Sequence, residues 1–305
     1  MKNQIMGRRR ADAKDAPSAW AGKRGNSQGM ICRQPLSVVL RSLVWAAAML
    51  TAGVLIFLIG YILIKGVPYL TPELFAWEYN SENVSMLPSI LNTVMMVALA
   101  LLIAGPLGIF AAIYLVEYAA RGNKLVKLIR LTAETLSGIP SIVYGLFGML
   151  FFVYKSGLGW GNSLLAGACT VAIMVLPLIM RQTEEALKAV PDSYREGSFG
   201  LGAGRLRTIF SIVLPAAVPG ILAGVILAIG RIVGETAALL YTSSTLAEIP
   251  DSVFDPASTL ALHMYTLSSE GFHVNQAYAT AVVLLLVVVL INWLAGVAAR
   301  RLTKG

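Results

Sequence analysis

The chain has 305 residues, of which 57% are hydrophobic and only 13% charged, with a mean hydropathy of +0.72 and a formal charge of +8. A soluble domain usually carries about 25% charged residues, so most of this chain cannot face water. The positive balance says nothing about nucleic acid until its distribution is known. Cys32 lies in a basic N-terminal segment and Cys169 inside an apolar run, and neither they nor His263 and His273 have metal-ligand spacing. No disulfide, metal or other cofactor is expected.

Residues 1–36 hold Arg8, Arg9 and Arg10 followed by Gly, Ser, Asn, Gln and Pro, with little apolar periodicity. That composition predicts a disordered basic tail. The first apolar run, 38–64, is too long for a signal-peptide core and reads as a retained span. Five further runs follow at 88–116, 134–154, 163–180, 218–245 and 277–299, each long enough for a bilayer core of about 30 Å. The third is the weakest, holding Pro140 and three glycines, which membrane helices tolerate where neighbours re-satisfy the backbone. The pattern predicts an all-α bundle of six transmembrane helices over 37–305, with both termini on one side.

Orientation follows from the loops. The tail taken to residue 41, the 121–130 loop, the 181–211 stretch and the C-terminus hold 21 of the 24 Lys and Arg residues. The opposite loops hold Lys65 and Lys155 and collect Glu73, Glu78, Glu82, Glu248, Asp251, Asp255 and Glu270 instead. Both termini are expected in the cytoplasm, and the net charge is positive-inside asymmetry, not a polyanion site. No G-x-x-x-x-G-K-[ST] loop, nucleophile elbow or H-E-x-x-H is present, so the chain reads as a non-enzyme.

The 181–215 connection is long for a link between spans and is not low in complexity. Thr183 to Ala189 reads as helix, Pro191 interrupts it and suits the first turn of another, and Gly202 suits a left-handed terminator. The product is a helical pair at the cytoplasmic surface, which pattern alone also allows to be an amphipathic interfacial hairpin. Glu196-Gly197-Ser198, three residues, Gly202, nine residues, then Ile212-Val213-Leu214-Pro215 resembles the EAA loop of ABC importer permeases. Gly197 and Ser198 stand where that pattern has two alanines, and Gly197 weakens the helix by up to about 1 kcal/mol.

Two other segments narrow the resemblance. Ser137-Gly138-Ile139-Pro140-Ser141-Ile142-Val143-Tyr144-Gly145 and Arg231-Ile232-Val233-Gly234-Glu235-Thr236-Ala237 are similar to segments of phosphate permeases. Ala238-Leu239-Leu240-Tyr241 and the C-terminal pattern are more like the A than the C subunit of the Pst-type system. The resemblance covers roughly residues 38–303. It implies the type I ABC importer permease (MetI-like) fold in a bacterial inner membrane. It also implies a sister permease, a pair of ATP-binding subunits and an extracytoplasmic phosphate-binding protein as partners, with phosphate as substrate. The coupling surface it implies comprises Ser193, Tyr194, Arg195, Glu196, Gly197, Ser198, Leu201, Gly202 and Ala203, docking by helix-in-groove recognition.

Arg231 and Glu235 are the charges well inside a span, where each costs about 2.5–3.5 kcal/mol near the helix centre. Four apart, they are expected on one helix face and able to pair. Mutual neutralisation for insertion is one reading. The other places them on a polar pathway, where an arginine fork suits a tetrahedral oxyanion. With Thr236, they form the expected substrate pathway, and Arg181 matches a permease arginine at the cytoplasmic mouth or serves as an ordinary positive-inside anchor. Gly220/Gly224 and Gly230/Gly234 are consistent with close packing at a subunit interface, and Glu117 and Glu134 read as interfacial. A permease for molybdate, tungstate or sulfate, a secondary transporter and a membrane scaffold are the competing functions.

Overall fold

The computed structural model describes residues 35–302 except Arg121; the expected tail lies outside the described residues but for its last two, which begin a helix. Contacts divide the chain into units 1–56 and 57–305. The described part of the first is most of α1 (Pro35–Gly66), an unbroken helix with exposed apolar side chains. The second unit holds the end of α1 and ten more helices. These are α2 (Leu87–Ile113), α3 (Lys124–Ser137), α4 (Ser141–Gly148), α5 (Leu164–Lys188), α6 (Asp192–Gly200), α7 (Arg205–Thr208), α8 (Leu214–Val233), α9 (Ala237–Thr242), α10 (Leu260–Glu270) and α11 (Val274–Leu302). Among the described residues there is no strand.

Among the described residues, five helical runs are long and apolar enough to cross a membrane: Ser37–Tyr69, Leu87–Tyr118, Leu164–Lys188, Arg205–Val233 and Val274–Arg301. The sixth expected span is not one rod. Lys124–Ser137 and Ser141–Val153 meet at 100°, because Pro140 disfavours helical backbone at Ile139 and brings no N–H of its own. The 13 apolar residues Ser141–Val153 rise only about 20 Å.

The fifth expected span, 218–245, also differs. It begins earlier, at Arg205, and stops at Val233. Pro215 near the start of α8 cannot donate to the ladder, and a π-helical turn, Ile209–Val213, shifts the ladder's register just before it. That lets helix run from α7 into α8 through the proline.

The core joins α2, α5 and α8 through Met96, Ala100, Val171, Val175, Ala228 and Ile232. Small residues set how closely these helices approach. A Cβ on Gly108 would lie 2.9 Å from the Ile179 side chain, one on Gly220 2.6 Å from Ala186, and one on Gly224 2.5 Å from Gln182. The Gly220/Gly224 pair therefore packs on α5 of the same chain and not at a subunit interface, whereas Gly230 borders open space.

At the end where α5 begins, its orphan N–H groups are met by distant backbone. Ser163, Leu164 and Leu165 donate to the carbonyls of Thr242, Asp255 and Val253 at 3.1, 2.9 and 2.8 Å. The same stretch, 242–260, is tied to α2: Asn92 Nδ2 donates to Glu248 O at 2.8 Å, and the Leu260 N–H donates to Thr93 Oγ1 at 2.9 Å.

Beside this lock, on α10 and outside the spans, His263 is buried edge-on against Tyr79. Burial pushes its imidazole down from 6.5 to about 4, against a smaller opposing effect of a hydrogen bond with the Val84 backbone. Between those two values the unfolded chain binds more protons than the folded one, so stability is full above pH 6.5 and falls as pH drops toward 4. The purified protein should lose up to about 3 kcal/mol over that window. Thermal unfolding in detergent across pH 4–7 should show it, and His263→Gln should flatten the profile; an unchanged profile in the variant would remove His263 as its cause.

Candidate substrate pathway and coupling surface

The two segments that carry the phosphate-permease resemblance meet in space. The Tyr144 hydroxyl donates to Leu136 O at 2.8 Å, closing the α3–α4 bend across its own break. A Cβ on Gly145 would lie 2.9 Å from Ala238 Cα, and one on Gly148 2.8 Å from the Thr242 methyl. The short helix α4 is thus laid directly on the short helix α9.

Arg231 sits half-buried in the last turn of α8, within electrostatic range of the Tyr144 hydroxyl. The helix ends two residues later, so Glu235 leaves the helical face. Its buried carboxylate accepts the Ala238 N–H at 3.0 Å and serves the first turn of α9, as a local side-chain cap. Arg231 and Glu235 consequently form no ion pair among the described residues, contrary to the expected four-residue pairing. Thr236 is half-buried at the start of α9.

Arg181 stands apart from this group. Its neighbour Gln182 meets Gly224, seven residues before Arg231 and about 10 Å down the helix. The Arg181 side chain is exposed and 3.4 Å from Glu185 Oε1. It borders a cavity of about 230 Å³ that Arg130, Glu134, Glu184 and Lys188 also line. Within it the buried Glu184 Oε1 holds Arg130 at 2.7 Å and Lys188 at 2.5 Å.

The 181–215 hairpin forms as its punctuation predicts, except that Thr183 to Lys188 simply continues α5. Pro191 caps the start of α6, and Gly202 takes φ +82° at its end. The Gly202 N–H donates to Phe199 O at 2.9 Å and the Ala203 N–H to Ser198 O at 3.1 Å, a Schellman closure that a left-handed residue permits. Ser198 Oγ lies 2.8 Å from Thr208 Oγ1, joining α6 to α7.

Of the expected coupling residues, Ser193, Tyr194, Glu196, Gly197, Leu201 and Gly202 are exposed, with Leu201 at 92% and Ala203 half-buried. Gly197 has open space around its missing methyl, so the departure from alanine there costs no packing. Ser198 and Arg195 turn inward.

Arg195 is the centre of the hairpin's support. Its Nε and Nη2 donate to Glu117 Oε1 at 3.1 and 2.7 Å, Nη2 also to Leu187 O at 2.9 Å, and Nη1 to Val190 O at 2.8 Å and Asp192 Oδ1 at 3.1 Å. A guanidinium has five N–H donors, and these contacts use them all. Glu117, read from the sequence as interfacial, is buried in the π-helical turn Tyr114–Tyr118 that ends α2. Its carbonyl also accepts from Arg205, whose guanidinium lies 5.1 Å from the Tyr118 ring centre. Seventy-eight residues separate Glu117 from Arg195, and no local motif announces the pairing.

Among the described residues, five apolar helices long enough to cross a membrane, one bent helix pair and a braced helical hairpin mark a multi-span membrane permease. The profile of the binding-protein-dependent transport system inner membrane component family matches residues 104–304, and the chain belongs to that family. The Bacillus subtilis protein named "Probable ABC transporter permease protein YqgI" is 33% identical over 279 residues, 84% of this chain and 94% of that one. The phosphate transport system permease protein PstA of Pasteurella multocida is 32% identical over 269 residues, 86% of this chain and 93% of that one. A chain in the crystal structure of a bacterial ABC transporter involved in the import of the acidic polysaccharide alginate matches with a TM-score of 0.63 at 17% identity, over 88% of this chain and 99% of that one. That likeness is one of fold, and it is the type I importer permease fold.

The α4–α9 contact has a direct test. Gly145→Val forces a branched side chain into backbone that already touches, a strain of about 1–3 kcal/mol. It should lower the detergent melting temperature by several degrees, whereas Gly230→Ala, facing open space, should leave it unchanged.

Proposed function

We propose that this chain is one of two permease subunits of an ATP-driven phosphate importer, forming half of the translocation pathway and holding no ATP site of its own. The observation that carries the reading is the contact of α4 with α9, just past the end of α8. It sets Arg231 at a helix end inside the membrane, with the nearby carboxylate committed to the α9 backbone. An arginine so placed offers two parallel donors to a tetrahedral oxyanion. The PstA relative supports phosphate as that anion. Thr236, at the same break, is proposed as a second polar contact on the path, and Arg181 as a charged residue at its inner mouth.

In this reading the 21 basic residues of the tail, the 121–130 loop, the 181–211 stretch and the C-terminus face the cytoplasm. The exposed face of α6, with Tyr194, Glu196 and Leu201, receives one ATP-binding subunit. The opposite, acidic loops receive the phosphate-binding protein. A sister permease supplies the other half of the pathway.

Orientation is tested with an impermeant thiol reagent. Cysteines introduced at Asn80 and Ser252 should react from outside and one at Gly204 only from the cytoplasmic face; outside labelling at Gly204 would overturn the assignment.

Transport is tested by ATP-dependent uptake of labelled phosphate in proteoliposomes, with sulfate and molybdate as competitors. Arg231→Gln should reduce uptake by roughly a hundredfold, the loss of a charge-assisted bidentate contact, with assembly near normal. Glu235→Gln keeps a carbonyl to accept the Ala238 N–H, so it should fold. The double variant should stay inactive because the cationic contact is still missing. Full uptake by the double variant would remove Arg231 from the phosphate path.

A further inference from the structure

The brace around Arg195 joins three elements, and only one of its contacts is ionic between elements. The carbonyls of Leu187 and Val190 belong to the end of α5 and the turn that leads directly into α6. Glu117 belongs to α2, a helix otherwise remote in sequence. The pair is well sheltered: the Arg195 side chain is 15% exposed and that of Glu117 9%. Beside it a cavity of about 840 Å³, lined by Tyr118, Arg130, Phe199 and Arg205 among others, separates the hairpin from the start of α3. On that flank α6 has space, and its polar attachment is to α2.

The α2 helix runs on without a break through its π turn to Tyr118. Glu117 lies 25 residues after Asn92, about 38 Å at 1.5 Å per residue. Asn92 and Thr93 hold the 243–260 segment at the opposite end, and that segment supplies the carbonyls at the head of α5. One rod therefore touches the hairpin at one end and the closing loop at the other.

Resting on the permease reading above, we propose that Glu117 is the positioning residue through which displacement of the α6–α7 hairpin by the ATP-binding subunit is passed to α2 and thence to the outer loop. Arg195 takes up the movement of α6, the charge-assisted bonds to Glu117 carry it across, and Arg205 on the Glu117 carbonyl keeps the π turn engaged with α7.

The test uses the complete complex reconstituted in proteoliposomes, with hydrolysis and labelled inorganic phosphate uptake measured on the same sample. The wild type decides the permease reading: without ATP-dependent uptake that reading fails, whatever Glu117 does. Given a working wild type, Glu117→Gln should still co-purify with the ATP-binding subunit and hydrolyse ATP within about threefold of wild type, while uptake falls at least about tenfold. Glu117→Asp, which keeps the charge on a shorter stem, should recover most of the uptake. Uptake within about twofold of wild type in Glu117→Gln would overturn the proposal. So would Glu117→Asp and Glu117→Gln losing hydrolysis and uptake in equal proportion, the mark of a purely structural brace. If Glu117→Gln fails to assemble, Glu117→Asp decides alone: a raised ratio of ATP hydrolysed to phosphate moved supports the proposal, and an unchanged ratio overturns it.

Discussion

Lipid offers no partner to a free N–H or carbonyl, so a helix interrupted inside a bilayer must find its replacements within the protein. This chain interrupts two helices, at Gly138–Pro140 and at Gly234–Thr236, and most of its interior follows from repairing them. Tyr144 returns its hydroxyl to Leu136 across the first break, and Glu235 gives its carboxylate to Ala238 across the second. Each repair spends a polar side chain, and both spent side chains lie beside Arg231. Glycines at 145 and 148 then allow the two repaired segments to be stacked backbone against backbone. The polar spot in the membrane is a by-product of that stacking as much as a site in its own right.

The hairpin at the other end of α5 obeys a different constraint. Its polar groups are largely met within the hairpin and its supports, and Leu201 and Tyr194 project from it uncovered. What it needs is a fixed pose. The Gly202 closure sets the angle between α6 and α7, Ser198 and Thr208 pin it, and the Arg195 guanidinium holds the pair to α5 and α2 at once. The unit is internally pinned and braced against two neighbouring helices at once.

Much of this was legible in the sequence because the signals were local. The apolar runs, Pro191 and Gly202 each act within a few residues, and helices are present where they predicted them. The misreadings share a cause. The 134–154 and 218–245 runs are apolar throughout, and hydropathy does not register that Pro140 bends one and that a carboxylate at 235 starts a new helix inside the other. Pairing Arg231 with Glu235 assumed an uninterrupted helix between them. The Gly220/Gly224 pair gave its spacing but not its partner, which turned out to be Ala186 and Gln182 of the same chain. Glu117 looked interfacial because its cation, Arg195, comes from elsewhere in the fold.

The head of α5 carries a consequence for how the protein is made. Its first amides are met by carbonyls of Thr242, Val253 and Asp255, which emerge from the ribosome some eighty to ninety residues later. Until then this span is threaded but unfinished, with bare donors that must stay at the wet surface of the bilayer. The helices of this permease thus enter the membrane in order, but the fourth is sealed only when the fifth and its trailing loop have arrived, so biogenesis ends with a stitch placed back near the middle of the chain.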